Sequence, residues 1–306
     1  MVEIALMIEG QNGLNWPRWQ RIVRAAEDLG FAGVYRSDHF TNAQPPHRDS
    51  LELWVSLTWL AGNTKRIQFG PLVSPLSIRH PAVTARMASA VDDLSGGRLV
   101  LGLGAGWQER EHHMFGFDLL DTKARFQRFE EGLRVITHLL QKEEPLNLAG
   151  EYYHMRDALI FPRPQRAGGP PILIGGNGRQ LTLPLVARYA DEWNGLYLTP
   201  GRFRELNAVL DGELAARGRS PHSVRRSMMT GIAIGADEAQ LQDKLGNRDR
   251  GELRERGMLV GTPGEIAEQV HVLDQAGVQR VMLQWMDLDD IPGLELLAKT
   301  LEIIPQ

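Results

Sequence analysis

The segment IQFGPLVSPLSIRHPAVTARMASAVDDLSGGRLVLGLGAGWQERE, residues 67–111, contains one complete example of a unit that recurs along the chain. An apolar run at 67–73 leads into prolines and a serine, and a helix-like segment follows Pro81. A second apolar run at 99–103 then breaks at Gly104-Ala105-Gly106-Trp107. This order of strand, irregular end, helix and strand predicts a βαβ unit with flexible or polar residues at both strand ends.

Short apolar runs of the same kind recur over the whole sequence, and most are followed by turn residues and then by a helical pattern. Continuous apolar runs with β-branched residues are typical of a parallel sheet covered on both faces. Repeated strand–helix alternation over this length favours an α/β fold of the (β/α)8 TIM-barrel class, with an open doubly wound sheet as the alternative. The eight runs are 4–8, 33–36, 67–73, 99–103, 171–174, 192–198, 228–234 and 278–285.

We expect the whole chain, 1–306, to form a single barrel domain with two insertions. Residues 143–166 are rich in proline, tyrosine and glycine and alternate like strands, so they predict a hairpin insertion. Residues 236–262 are charged and contain several glycines, which indicates a helix and a mobile loop near the barrel mouth. Clear helical patterns lie at 19–29, 126–140 and 266–276.

The bulk composition restricts the classes of function. The net charge is −4 and the charged residues are scattered, so we expect no nucleic-acid partner. Cysteine is absent, which excludes disulfides, thiolate metal sites and cysteine nucleophiles. No apolar run approaches the roughly 18 residues of a membrane-spanning helix, and no leader-like segment is evident, so we expect a cytoplasmic protein with no membrane partner.

The end of the fifth run is a candidate phosphate site, because a (β/α)8 barrel carries its active site at the carboxyl ends of the strands. Gly175, Gly176, Asn177 and Gly178 lead into a helix that we expect to begin near Arg179. Free backbone N–H groups at a helix start, together with a guanidinium, favour an anion. The alternative is an ordinary turn that uses glycine for its backbone angles.

The end of the fourth run, Gly102-Leu103-Gly104-Ala105-Gly106, lacks the spacing of a dinucleotide fingerprint. We interpret the small residues as allowing a flat ring to lie close to the backbone, with Trp107 as a possible wall for an aromatic ligand. The alternative is that these glycines only allow the barrel to pack.

Asp38 and His39 follow the second run and are the clearest candidates for chemistry. Adjacent side chains on a strand diverge, so these two cannot form a Ser/His/Asp relay, and no G-x-S-x-G motif occurs. His39 is predicted to act as a general acid/base or to bind a ring by a hydrogen bond, with a structural histidine as the alternative. We interpret His112 and His113 as a solvated helix face and expect no metal site.

Four collinear segments now indicate a family: SDHF at 37–40, the sequence quoted above from residue 70 onward, PPILIGGNGRQLTLPLVARYADEWNG at 170–195 and GTPGEIAEQVHVLDQAGVQRVMLQ at 261–284. They resemble the luciferase-like monooxygenase superfamily, most of all its branch that uses the deazaflavin coenzyme F420. SDHF carries the resemblance to that branch, since flavin-using relatives more often have a glutamate-histidine pair there.

The resemblance implies an insertion-bearing barrel with an isoalloxazine-like ring across the strand ends, near Asp38 and His39. It implies a non-prolyl cis peptide at the end of the third strand, which by position would be Pro71–Leu72. It also implies that amides near Gly175 bind the cofactor phosphate, and that a basic residue meets the acidic cofactor tail. The predicted cofactor-binding residues are Asp38, Pro71, Leu72, Ser74, Gly106, Trp107, Gly175, Gly176, Asn177 and Arg179; Arg79 and Arg202 are further candidates for the tail.

One position departs from the pattern of the family. The sugar-phosphate dehydrogenases of the F420 branch carry a proton-donating glutamate just after the strand-four glycines, where this chain has Trp107. The resemblance therefore argues against that substrate and leaves His39 as the leading catalytic acid/base. Glu111 matches an acidic position that is common in the family.

We therefore predict an oxidoreductase that transfers a hydride between F420 and a small organic substrate, and we expect a homodimer because relatives are usually dimers. The first alternative is an FMN-dependent monooxygenase that uses reduced flavin and O2. The second is a barrel that stores or senses a flavin without turnover. The third is a metal-dependent barrel hydrolase, which would need more histidine and aspartate ligands at strand ends than Asp38 and His39.

Overall fold

The computed structural model describes residues 2–302, in which parallel strands alternate with helices. The strands are β1 (Glu3–Ile8), β2 (Gly33–Arg36), β3 (Gln68–Pro71), β4 (Ser74–Pro75), β5 (Leu101–Gly104), β6 (Leu146–Ala149), β7 (His154–Ala158), β8 (Ile172–Gly175), β9 (Glu192–Leu196), β10 (Arg225–Ile234), β11 (Leu259–Gly261) and β12 (Arg280–Gln284). The α-helices are α1 (Trp16–Asp28), α2 (Leu53–Asn63), α3 (Pro81–Ser95), α4 (Glu109–Phe115), α5 (Thr122–Gln141), α6 (Thr182–Tyr189), α7 (Pro200–Ala215), α8 (Glu238–Leu245), α9 (Arg250–Glu255), α10 (Pro263–Gln275) and α11 (Ile291–Leu301).

The main sheet closes on itself. Hydrogen-bonded neighbours follow the order β3-β2-β1-β12-β10-β9-β8-β5-β4, and all of these pairs are parallel. A parallel bridge between Phe69 and Leu99 joins the two ends of this order. All eight predicted runs overlap barrel strands; β3 lies within the third run, and β4 follows the end of that run directly. The (β/α)8 prediction is therefore confirmed, and the open-sheet alternative is wrong.

The seam between the third and fourth barrel strands is interrupted in its middle. The ladder pairs Phe69 with Leu99 below the interruption and Ser74 with Leu103 above it. Between them, the peptide bond from Leu72 to Val73 is cis. The expected position, Pro71–Leu72, is thus one residue too early, because the Leu72 amide still donates to the Arg36 carbonyl at 2.8 Å and extends the regular pairing with β2 by one residue.

Local sequence signals set the ends of the helices. α10 has Pro263 in its first turn and a capping box formed by Thr262 and Glu265. Gly277 follows its end with φ +92°, a conformation that glycine adopts without strain. The predicted helix 266–276 therefore begins one turn too late, since the pattern of apolar residues does not include the polar first turn.

Two regions lie outside the alternation. Within 143–166, β6 and β7 form an antiparallel pair, and Arg166 binds buried Asp92 of α3 at 3.0 Å. Residues 236–262 contain α8, α9 and the strand β11, which pairs in parallel with the outer end of β10. The sequence predicts one helix and a mobile loop here, whereas the structure has two helices and a strand. The mobility of this region stays a prediction.

A buried polar cluster lies at the amino ends of the strands. Arg280 is 1% exposed and its guanidinium donates to Glu192 at 3.0 Å, to Glu3 at 2.7 Å and to the hydroxyl of Tyr35 at 2.8 Å. The residues come from β12, β9, β1 and β2, so the cluster ties four strands together beneath the core. Within the described residues, no helix has the length and apolarity that crossing a bilayer requires.

Candidate active site

A cavity of about 300 Å³ opens at the carboxyl ends of the barrel strands, where the fold is expected to carry its chemistry. Five residues predicted from the sequence line it: His39, Leu72, Gly106, Trp107 and Gly175. The other lining residues are Met7, Glu9, Gln11, Ser37, Val73, Pro75, Glu111, Asn194, Leu196 and Met229.

His39 is held on the cavity wall by a buried carboxylate. Its Nδ1–H donates to Oε1 of Glu111 at 2.9 Å, and the other oxygen of Glu111 accepts from the Phe40 amide at 2.9 Å. Glu111 is 1% exposed, so the pair is largely shielded from water. Bonding at Nδ1 leaves Nε2 as the nitrogen that exchanges a proton with a ligand.

Two opposing effects act on the pKa of His39, and their net result is a pKa above the ordinary value. Burial disfavours the charged imidazolium and acts to lower the pKa. The hydrogen bond to Glu111 and the negative charges of Glu111, Glu9 and Asp38 favour the charged imidazolium, and together they outweigh the effect of burial. The wall thus favours the protonated imidazole more than water does. Beside it, the Trp107 ring stands edge-on, with centroids 5.5 Å apart.

Asp38 points away from His39, as adjacent strand residues must. Its carboxylate is buried beneath the cavity wall, where it accepts a hydrogen bond from Ser74 Oγ at 2.8 Å and pairs with Arg79. Arg79 also binds Glu52 at 2.9 Å. Asp38 and Ser74 thus connect the ends of the second and third barrel strands behind the site.

The wall beside His39 is formed by the interrupted seam. Leu72 and Val73 line the cavity, whereas Pro71 lies against Gly102, whose added Cβ would come within 2.0 Å of the Pro71 carbonyl oxygen. A Cβ at Gly104 would likewise lie 2.5 Å from Val73 Cγ2. Glycine at these two positions is explained by barrel packing, the alternative reading. Gly106 lines the cavity with φ +85°, and an added Cβ would lie 2.1 Å from Ser77 Oγ, so backbone conformation and packing both favour glycine there.

The end of the fifth barrel strand, β8, is joined to β9 by side-chain and backbone hydrogen bonds. The Asn177 side chain accepts from the Leu196 amide at 2.9 Å and donates to the Leu196 carbonyl at 2.8 Å, joining this end to β9. Gly176 has φ +135° and its amide donates to the Asn194 carbonyl. α6 begins at Thr182, so the expected helix start near Arg179 is wrong by about one turn. Extra turn residues precede the helix, because Thr182 packs against Gly176 and Gly178.

Of the three basic candidates for a cofactor tail, two already have acidic partners. Arg79 binds Asp38 and Glu52, and Arg202 binds Glu205 on its own helix. Arg179 is exposed, and no ion pair involves it among residues 2–302.

His112 contradicts the interpretation as a solvated face. It is 2% exposed, and its ring nitrogens contact the Gln108 carbonyl at 2.7 Å and Ser77 Oγ at 2.8 Å. Its neighbour His113 is exposed. In the part of the chain that the structure describes, no group of three or more histidine and acidic side chains is placed to hold a metal.

Several lining residues escaped the sequence reasoning, although signals for them exist. Glu9 and Gln11 directly follow the first run, which is the position where a barrel carries functional side chains. Asn194 is a buried polar residue inside the run 192–198, where an apolar side chain is expected.

Comparison with known proteins agrees with this geometry. The family model for the luciferase-like monooxygenases matches residues 5–250. The chain belongs to this family. An F420-dependent glucose-6-phosphate dehydrogenase from Kineococcus radiotolerans is 30% identical over 278 residues, covering 87% of this chain and 77% of that protein. A phthiodiolone/phenolphthiodiolone dimycocerosates ketoreductase from Mycobacterium kansasii is 30% identical, covering 87% and 70%.

Two solved structures share the fold. An F420-dependent secondary alcohol dehydrogenase in complex with an F420-acetone adduct superimposes with a TM-score of 0.87 at 16% identity, covering 100% of this chain and 99% of that one. A long-chain alkane monooxygenase superimposes with a TM-score of 0.81 at 15% identity, covering 98% and 91%. At these identities, the likeness shows a shared fold.

Proposed function

We propose that this luciferase-like protein is an oxidoreductase that transfers a hydride between the deazaflavin coenzyme F420 and a small organic substrate. The observation that carries the proposal is the buried pair of His39 and Glu111 on the cavity wall, in a chain whose curated relatives are F420-dependent dehydrogenases.

The cavity fits a planar ring system. Gly106 and Gly175 bring backbone without side chains to its surface, while Leu72, Val73 and Met229 supply apolar contacts. Walls of this kind, together with few polar groups, are typical of cofactor sites. We propose that the ring lies against Leu72, Val73 and Gly106, and that the loop from Gly175 to Arg179 receives the phosphate.

F420, when bound, would supply the hydride acceptor or donor. His39 moves the compensating proton: Nε2 takes the proton of a substrate hydroxyl as the hydride leaves carbon, and returns it in the reverse direction. Glu111 fixes the imidazole and stabilises its charged form through Nδ1. Trp107 shields the mouth beside His39, which reduces access of water to the reacting atoms.

Binding of the two cofactors to the purified protein tests the proposal. We expect F420 to bind tightly, measured by the change in its absorbance or fluorescence, and FMN to bind at least about tenfold more weakly. Tight FMN binding without F420 binding would reject the deazaflavin assignment.

An FMN-dependent monooxygenase is the second candidate, because the family is that of the luciferase-like monooxygenases and proteins of the same fold include a long-chain alkane monooxygenase and a riboflavin lyase with modified FMN. The same titration separates the two, and O2 consumption with reduced FMN would favour the monooxygenase.

We also propose a homodimer. Val55 on α2 and Val83 and Leu94 on α3 expose more than half of their surface, so the outer faces of these packed helices are apolar. Such faces are typical of subunit contacts. The cytoplasmic location and the lack of a nucleic-acid partner stay predictions from composition.

A further inference from the structure

We infer that the substrate carries no anionic group and presents a hydroxyl or ammonium donor to Glu9. This inference rests on the proposed function and specifies the class of substrate that the same cavity takes. It concerns the side of the cavity that faces Gly175 across the barrel, because β1 and β8 lie opposite each other in the closed strand order.

The charges on the cavity wall exclude an anion. Glu9 and Glu111 line the cavity, and its lining within the described residues includes no lysine or arginine. The Glu111 carboxylate is already bonded to His39 Nδ1 and to the Phe40 amide. Phosphate and carboxylate groups are normally held by arginine or lysine. An anionic substrate would instead meet repulsion from Glu9, with His39, already bonded to Glu111, as the one basic side chain among the described lining residues.

Glu9 is fixed by neutral donors. Gln284 Nε2 donates to its Oε1 at 2.5 Å, and Gln11 Nε2 donates to its Oε2 at 2.7 Å. Neither bond supplies a positive charge. An ionised carboxylate has about four acceptor positions, so two remain for a ligand that donates. A hydroxyl or ammonium group satisfies them, whereas another acceptor does not.

Each of these glutamines is itself oriented by a hydroxyl group. Tyr197 donates to the Gln284 side-chain oxygen, and Ser37 Oγ donates to Gln11 Oε1 at 2.6 Å. Because both amide oxygens are occupied, both NH2 groups are directed at Glu9. The carboxylate is therefore held in one position by residues from four strand ends, which is the arrangement that specific recognition requires.

The backbone at Tyr197 gives a second observation. Its φ is +49°, in the left-handed region that non-glycine residues rarely adopt. Backbone in such conformations concentrates at ligand sites, where the surrounding structure maintains it. At this position, it brings the tyrosine hydroxyl to Gln284 and thereby sets the orientation of Glu9.

A set of matched probes tests the inference. Cyclohexanol, trans-4-aminocyclohexanol and 4-hydroxycyclohexanecarboxylate share one ring and differ in charge, and glucose 6-phosphate adds the substrate named for the curated relatives. Binding to the F420-loaded protein is measured by saturation-transfer NMR. We expect the dissociation constant of the amine to be at least about tenfold below that of the carboxylate, with no signal from glucose 6-phosphate.

The near-isosteric variant Glu9→Gln should reduce the preference for the amine over the carboxylate to about threefold or less. Glu109→Gln is the matched control, because Glu109 is an exposed carboxylate on α4 outside this cavity, and the preference should stay unchanged. The inference is overturned if the carboxylate or glucose 6-phosphate binds as tightly as the amine, if no probe binds, or if Glu9→Gln leaves the preference intact. Failure of F420 to bind would reject the proposed function alone, since the same probes still report the charge preference of the cofactor-free protein.

Discussion

Glu111 binds His39 and the backbone of the next residue, Phe40, at the same time, with both contacts at 2.9 Å. The carboxylate thus fixes both the imidazole of His39 and the backbone that follows it. An imidazole fixed in this way presents one nitrogen to the cavity in a single orientation, and its protonated form is stabilised.

Replacing Glu111 with glutamine should lower the pKa of His39, because the hydrogen bond and the negative charge that raise it are weakened. The stability that this pair gives the wild-type fold is present below the unfolded pKa of histidine and is lost as pH rises through the higher folded pKa. NMR titration of the His39 ring reports the shift. The pH profile of kcat/KM should move to lower pH in parallel, whereas Glu109→Gln should leave both curves in place.

Removing the His39 side chain should lower turnover by about 10²-fold or more, since general acid/base catalysis contributes at least this factor. Cofactor affinity should change much less in His39→Ala, measured by F420 titration. Unaltered steady-state turnover would remove His39 from the proton transfer.

Arg179→Ala should weaken cofactor binding by about tenfold if this guanidinium meets an anionic group of the cofactor. The matched control is Arg202→Ala, because Arg202 is also exposed on the surface but is paired with Glu205. An F420 affinity of Arg179→Ala equal to that of the wild type would place the phosphate and the acidic tail away from Arg179.

Arg280→Ala should destabilise the protein by about 3–5 kcal/mol, because it leaves Glu192 as a buried charge without a partner. Burial already raises the pKa of Glu192, against the opposing charge of Arg280. Denaturant unfolding measures the effect. Arg225→Ala is the control: its side chain is 38% exposed and also pairs with Glu3, so the loss should stay below about 1 kcal/mol.

Gly70→Ala should destabilise the barrel, because the added Cβ would lie 1.9 Å from the Val100 carbonyl oxygen and the two strands would have to separate. Gly212→Ala provides the contrast. Gly212 lies within α7 with nothing within 4 Å of the added Cβ, so alanine should stabilise by about 0.5–1 kcal/mol. A melting temperature of Gly70→Ala equal to that of the wild type would show that the seam tolerates the methyl group.

The strands and most helices follow from the sequence because their signals are local. A run such as 4–8 is apolar over the length of one strand, and no distant residue is needed to recognise it. Placement of the irregular peptide bond failed by one residue, since it depends on where pairing between Leu72 and Arg36 ends. The residue at which pairing ends depends on the neighbouring strand, which the local sequence does not show.

The site was less accessible to sequence reasoning for the same physical reason. His39 and Glu111 are 72 residues apart, and only closure of the barrel brings them together. His112 became buried because Ser77, from the loop before α3, provides its partner, and a helix as short as α4 shows no clear amphipathic pattern. Glu9, in contrast, follows a strand directly and was within reach of the strand-end rule.

The gap in the seam at Leu72 and Val73 lies where one part of the barrel wall must both close the barrel and line the cavity. Bridges below and above this gap keep the cylinder closed, while Leu72 and Val73 line the cavity and Leu72 keeps its hydrogen bond to the second strand. The methyl carbons of Val73 lie within 3.3 Å of the Cβ positions of Gly102, Gly104 and Gly175, so a larger side chain there would press on two neighbouring strands. A substitution at Val73 that reshapes the cavity would therefore also change how the barrel strands fit together.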